Sequence, residues 1–356
     1  MPPRHLARPG TTPLRFAVLA LAAALLGLAA APVSAATDLG DLNGGGYSTA
    51  RAINLKGQSI GNAMDGATLS TKQVLWRGKV ISSWSACCGS GLGVPQALNL
   101  SREAAGYIAA GFDDRPVYWS GTGGATELPP LPGGNGRGQA SDINDAGYVV
   151  GFTRDASGSS RRAVVWHRTS LFLDLGFMGT PAPGQANQSL AYGINKLGDV
   201  VGASLVGSEF HAFFWRNGQF TDLGPGTALD ITDDGLVMGN APGFVPVLWR
   251  AGVREHLPAL SGAAVAYGHT VRAMNNLGDV VGFAPALKAP YFDTAVLWRQ
   301  GRAINLGRYP GGTVSRAYGI NDKGQIVGEG NLVPGGPMHA LRWSVGTGQA
   351  VAVSLQ

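Results

Sequence analysis

AYGINKLGDVVGASLVGSEFHAFFWRNGQFTDLG, residues 191–224, reads as four short strands with turn chemistry between them. Ala191 to Asn195 is the first. Asn195-Lys196-Leu197-Gly198 follows as a tight turn, where the Asn amide can cap its own backbone and Gly can take positive φ. Asp199 to Ala203, rich in Val, is the second strand. A looser polar segment leads to the apolar run Ala212-Phe213-Phe214-Trp215. Asn217-Gly218 is a strong hairpin signal, and Phe220 to Leu223 closes the unit. Nothing here has the length or period of a helix.

The same grammar recurs seven times. Its first half appears as AINLKG (52–57), ALNL (97–100), DINDAG (142–147), GINKLG (193–198), DITDDG (230–235), AMNNLG (273–278) and GINDKG (319–324). Its second half ends at Trp76, Trp119, Trp166, Trp215, Trp249, Trp298 and Trp343, at intervals of 34 to 49 residues that suit four strands. Extra residues between Asn99 and Gly106 make the second copy the most degenerate. A four-stranded sheet that is apolar on both faces cannot bury itself alone. Radial stacking covers each face and leaves only short edges, whereas a flat β-solenoid, the alternative, uses shorter repeats. The sequence predicts an all-β chain: a seven-bladed β-propeller built from seven four-stranded repeats.

Ile-Asn-x-x-Gly-x-Val-Val-Gly followed by His-Ala-Phe-x-Trp resembles the bacterial extracellular repeat family called HAF, after residues matching His211-Ala212-Phe213. The resemblance covers nearly all of 37–356 and is best kept in units four and seven, the latter with Leu341 at the Phe position. It implies export and repeated β-structure, and it carries no catalytic residues to transfer.

Residues 1–36 read as a secretory signal. Arg4, Arg8 and Arg15 give a positive start, Phe16 to Ala31 is unbroken apolar sequence, and Val33-Ser34-Ala35, or Ala36, fits a cleavage site. The apolar run is short for a membrane span of about 20 residues, and no other segment could cross. The expected mature chain, 37–356, is therefore secreted or periplasmic. Removing the three arginines of residues 1–36, which hold no acid, takes the net charge from +5 to about +2. No dense basic run with interleaved aromatics remains, which argues against nucleic acid. For ring closure, Thr37-Asp38-Leu39-Gly40 matches the outer strand Thr221-Asp222-Leu223-Gly224, while Gln349 to Leu355 also sits where an outer strand belongs.

Alternation puts the Asn-x-x-Gly and post-Trp turns on one face of the ring and the connections of varying length on the other. Variable loops on a rigid scaffold are where function usually sits. On that face the pre-Trp strand begins with Lys72, Arg115, Arg162, His211, Val245, Thr294 or His339. Five of these seven are basic or can become so, which offers a partial ring for an anionic group such as an acidic glycan. The plainer account is that strand starts are wet and tolerate charge.

Asn54, Asn144, Asn195, Asn275 and Asn321 open tight turns, where the side chain satisfies local backbone donors. The repeat tryptophans are read as inter-blade packing. Trp84 lies outside the register, in a loop beside Cys87 and Cys88, and the three could form an exposed ligand patch. The adjacent cysteines could form a strained vicinal disulfide, stay free or bridge chains. Just before Ile-Asn, the innermost strand carries Ala52, Ala97, Gly193, Ala273 and Gly319, but Asp142 and Asp230 in units three and five. Two carboxylates near a channel could hold a cation such as calcium, act as an acid/base pair, or simply accept backbone hydrogen bonds.

No Gly-x-Ser-x-Gly, His-Glu-x-x-His or phosphate-binding Gly loop is present, and no cofactor is evident. The sequence favours an exported, non-enzymatic binding module for a glycan or an extracellular protein partner on the variable-loop face. The alternative is a carbohydrate-active hydrolase or lyase centred on the axis.

Overall fold

The computed structural model describes residues 33–84, 91–111, 113–261, 266, 268–285 and 292–346. Its strands form seven four-stranded antiparallel sheets. The innermost strands are Ser48–Ile53, Leu92–Leu98, Gly138–Ile143, Ser189–Ile194, Thr227–Ile231, Thr270–Met274 and Ser315–Ile320. Each touches its neighbours on both sides, and the last touches the first, so the sheets close a ring of seven blades. The fold is the propeller that the repeat predicts.

The apolar faces bury one another. Among the described residues the buried apolar side chains fall into seven clusters, one at each interface between adjacent blades. Six of the repeat tryptophans are fully buried there. Several also bond across the interface: the Trp166, Trp249 and Trp298 indole N–H groups donate to the carbonyls of Pro129, Leu223 and Pro258, each in or just after the outer strand of the preceding blade.

The fourth blade differs in detail from its sequence reading. Its second and third strands run Val200–Val206 and Glu209–Arg216, so the looser polar segment is mostly strand. Gly207, at φ +61, lets the chain reverse in two residues. The Val-Val-Gly glycine has a different cause. Every innermost strand carries a β-bulge at the residue that precedes the Ala, Gly or Asp position. The glycine of the second strand faces that bulge, and a Cβ there would overlap the innermost strand's carbonyl oxygen, as at Gly61 against Thr49.

Ring closure uses the N-terminal segment. Thr37–Asp38 pairs with Met338–Ser344 as the outer strand of blade 7. Pairing begins earlier still, with a Val33–Val345 bridge and a 2.8 Å hydrogen bond from the Ser34 amide to the Ser344 carbonyl. The competing segment, Gln349 to Leu355, lies outside the described residues. Among the described residues no helix is long and apolar enough to cross a membrane.

Candidate binding site at the channel mouth

The bulged strands line a central channel in layers. The bulged residue and the one after it both border a cavity of about 230 Å³. The bulged layer holds Arg51, Gln96, Ser141, Tyr192, Leu229, Arg272 and Tyr318, one from each blade. Next comes the small-residue layer with Asp142 and Asp230. A collar of Ile53, Leu98, Ile143, Ile194, Ile231, Met274 and Ile320 then narrows the channel towards the turn face, where a second chamber of about 520 Å³ opens. Because the innermost strand runs from the variable face to the Asn turn, the bulged layer opens on the variable face.

Asp142 and Asp230 do line this cavity. Each carboxylate spans a seam. Asp142 accepts the Ile143 amide at 2.8 Å and, from the next blade, the Ile194 amide at 2.9 Å. Asp230 accepts the Ile231 and Met274 amides, both at 2.7 Å. Burial raises the pKa of both carboxyls despite these donors. For Asp230, the nearby Asp142 adds to the effect of burial, and its pKa reaches about 7. The side chains keep some exposed area, but the channel wall encloses them. Among the described residues no group of three His, Cys, Asp or Glu side chains is placed to hold a metal ion.

The turn asparagines do more than cap their own turns. Each Oδ1 accepts local amides, as Asn144 does from Ala146 and Tyr148 at 3.1 and 3.0 Å. Each Nδ2 also donates to the carbonyl of the equivalent residue one blade on. The bonds run from Asn54 to Asn99, to Asn144, to Asn195 and to Thr232, then from Asn275 to Asn321 and back to Asn54, at 2.8–3.2 Å. The circuit lacks one link, from Thr232 to Asn275, because Thr has no amide to donate.

Four of the five expected bases on the variable face have an acid of their own blade beside them. Arg115 pairs with Glu127 at 2.6 Å and Arg162 with Asp174 at 2.9 Å. His211 lies 2.9 Å from Asp222, and His339 lies 3.6 Å from Asp38. In each case the acid belongs to the outer strand of the same blade. Arg162 also stacks over Phe177 at 5.2 Å beside a cleft of about 290 Å³. Among the described residues Lys72 has no such acid. It adds a weak attraction to Asp65, whose pKa is lowered mainly by hydrogen bonds from Asn43 and Thr68.

Trp84 is not an exposed platform. It is 8% exposed and packs in the cluster between blades 1 and 2 with Trp119, its ring against Gly123. The chain reaches it straight after the outer strand Val80–Ser83 and turns inward, held by the Trp84 amide on the Gln73 carbonyl at 2.8 Å. Cys87 and Cys88 lie outside the described residues.

The residues that sequence reading missed are Arg51 and Arg272. Among the described residues neither has an ion pair or a hydrogen bond. The Arg51 Nε is buried without a partner. Arg272 stacks over Phe283 and Tyr318 at 5.6 and 5.7 Å, and its pKa is lowered by loss of solvent and by the charges of Arg51 and Arg316, against the opposing pull of Tyr318 and Glu329. Arg316, by contrast, is matched by Asp293 at 2.6 Å and Glu329 at 3.0 Å. A signal was available, since the bulged position changes residue type from copy to copy while its neighbours repeat.

No protein-family model and no curated protein matches the sequence. Solved structures do. A catalytically inactive variant of virginiamycin B lyase from Staphylococcus aureus with quinupristin is 8% identical at TM-score 0.52, covering 88% of this chain and 100% of that one. YCF48 bound to D1 peptide is 12% identical at TM-score 0.49, covering 89% and 98%. The β-propeller domain of the Trilobed protease from Pyrococcus furiosus is 8% identical at 0.49, covering 83% and 95%. At these identities the likeness is one of fold. The chain is a β-propeller of seven blades.

Proposed function

We propose that this chain is an exported, non-enzymatic binding module of the HAF repeat family, and that it holds an extracellular glycan or protein at the variable-face mouth of its channel. One observation carries the reading. The seven residues of the bulged ring are of five types, Arg, Gln, Ser, Tyr and Leu, while the collar and turn rings around them stay nearly constant. Structural symmetry explains the constant rings, and recognition explains the variable one.

The enzymatic alternative needs free carboxylates at the axis. Asp230, with a pKa of about 7, has the acidity of a general acid. Yet both oxygens of Asp142 and of Asp230 already accept amides from two blades, which favours a structural role. The test is a glycan and peptide array probed with the mature chain and with Ser141→Trp, which fills the mouth. Binding should occur and be lost in the variant. Binding that survives would move the site elsewhere, and chemical conversion of a bound glycan, seen by mass spectrometry, would refute the non-enzymatic reading.

A further inference from the structure

We propose that the axial cavity takes the carboxylate of an acidic sugar, held between Arg51 and Arg272. This rests on the channel mouth being the binding face. Blades 6, 7 and 1 are consecutive, and they bring Arg272, Tyr318 and Arg51 to one arc of the cavity. The nearby acids are already engaged: Glu329 accepts Arg316 and the Tyr318 hydroxyl at 3.0 and 2.7 Å, and Asp293 accepts Arg316. Two guanidinium groups therefore border the cavity without an ion-paired carboxylate among the described residues, Glu329 adding only a weak attraction to Arg272, and one has a buried Nε without a partner. Buried donors of this kind are normally satisfied by an ion, a water or a ligand. A carboxylate supplies the charge and the acceptor geometry that a guanidinium fork matches.

The opposite arc sets the orientation. Blade 3 places Asp142 across the cavity from blades 6 and 7, so an anionic end is disfavoured there, while Asp230 adjoins the blade that carries Arg272. The Asp142 carboxyl, with Ser141 beside it, suits the hydroxyl groups of a ligand whose acid lies at the other end. A hydroxylated acid of sugar size meets both walls, and an apolar acid meets only one.

The experiment uses the mature chain and calorimetry with glucuronate, glucose, acetate and inorganic phosphate at matched ionic strength. Glucuronate should bind and glucose should not. Arg51→Gln and Arg272→Gln should each weaken glucuronate about tenfold or more, while unfolding at the wild-type temperature without ligand. Equal binding of glucose and glucuronate, indifferent to both variants, would overturn the acid assignment and leave the mouth as the site. Acetate or phosphate binding as well as glucuronate would overturn the sugar assignment. No glucuronate binding, alongside array ligands still blocked by Ser141→Trp, would overturn this inference and leave the binding function standing.

Discussion

Replacing Asn144 by Asp separates the two jobs of a turn asparagine. The carboxylate keeps the acceptor for the Ala146 and Tyr148 amides, so the turn survives. It loses the 3.1 Å bond to the Asn195 carbonyl and sets one oxygen against another. A buried acceptor left unpaired costs about 1–3 kcal/mol, and the opposed oxygens add to it, so about 2–4 kcal/mol is expected at pH 8. With about 2.1 cal/mol/K of unfolding entropy per residue over roughly 320 residues, that is a fall of about 3–6 °C. The new carboxyl should have a raised pKa in the fold, because its protonated form can donate to Asn195 as the amide did. Stability should therefore be retained at the acid end and lost as pH rises through that raised pKa. Thermal unfolding of both proteins at pH 5 and pH 8 reads this directly. A variant within about 0.5 kcal/mol of wild type at pH 8 would show that the asparagine serves only its own turn.

Three further outcomes are expected. Thr232→Asn should supply the missing link to Asn275 and stabilise the chain by about 1 kcal/mol in denaturant unfolding; an unchanged midpoint would deny the latch any energetic weight. In wild type, Asp230 binds its proton until about pH 7, against about 4 when unfolded, so its contribution is full below pH 4 and falls as pH rises to 7. Asp230→Asn should remove that downward slope, and a slope of equal size in the variant would assign it to other groups. A double-mutant cycle on Arg162 and Asp174, both partly exposed, should give a coupling below about 1 kcal/mol, and a larger one would contradict a surface pair.

The blade count, the tryptophan packing and the strand order were legible because each is written seven times, and a repeat averages out local ambiguity. The site was harder to see for two reasons. Sequence placed Lys72, Arg115, Arg162, His211 and His339 on the variable face, but the acids beside all of these except Lys72 come from an outer strand whose pairing register one sequence does not reveal. For His339 that acid, Asp38, is some three hundred residues away and arrives only on ring closure. The second reason is the bulge. A two-residue alternation turns Arg51 and Arg272 away from the face shared by Ala52 and Ala273, whereas the bulge lets both pairs border the same cavity.

The distribution of charge along the axis now divides by cause. Blade 5 carries Thr232 and so cannot send an amide bond to blade 6. Across that same seam Asp230 accepts the Met274 amide, and the Asp233 amide donates to the Asn276 side chain at 2.9 Å. Between blades 3 and 4, Asp142 works beside an intact Asn144 link. The acids therefore have a structural occupation in both places, as a substitute at one seam and a reinforcement at the other. Their burial and raised pKa values are costs that those cross-blade bonds offset. Arg51 and Arg272 have no comparable occupation. Among the described residues they close no seam and pair with no carboxylate, and the charge of Arg51 helps to lower the pKa of Arg272. Ala52, Ala97 and Gly319 show that neutral residues can line this channel without loss of the ring. On the proposed reading, a pair of cations without ion-pair partners at the mouth of such a channel serves what enters it.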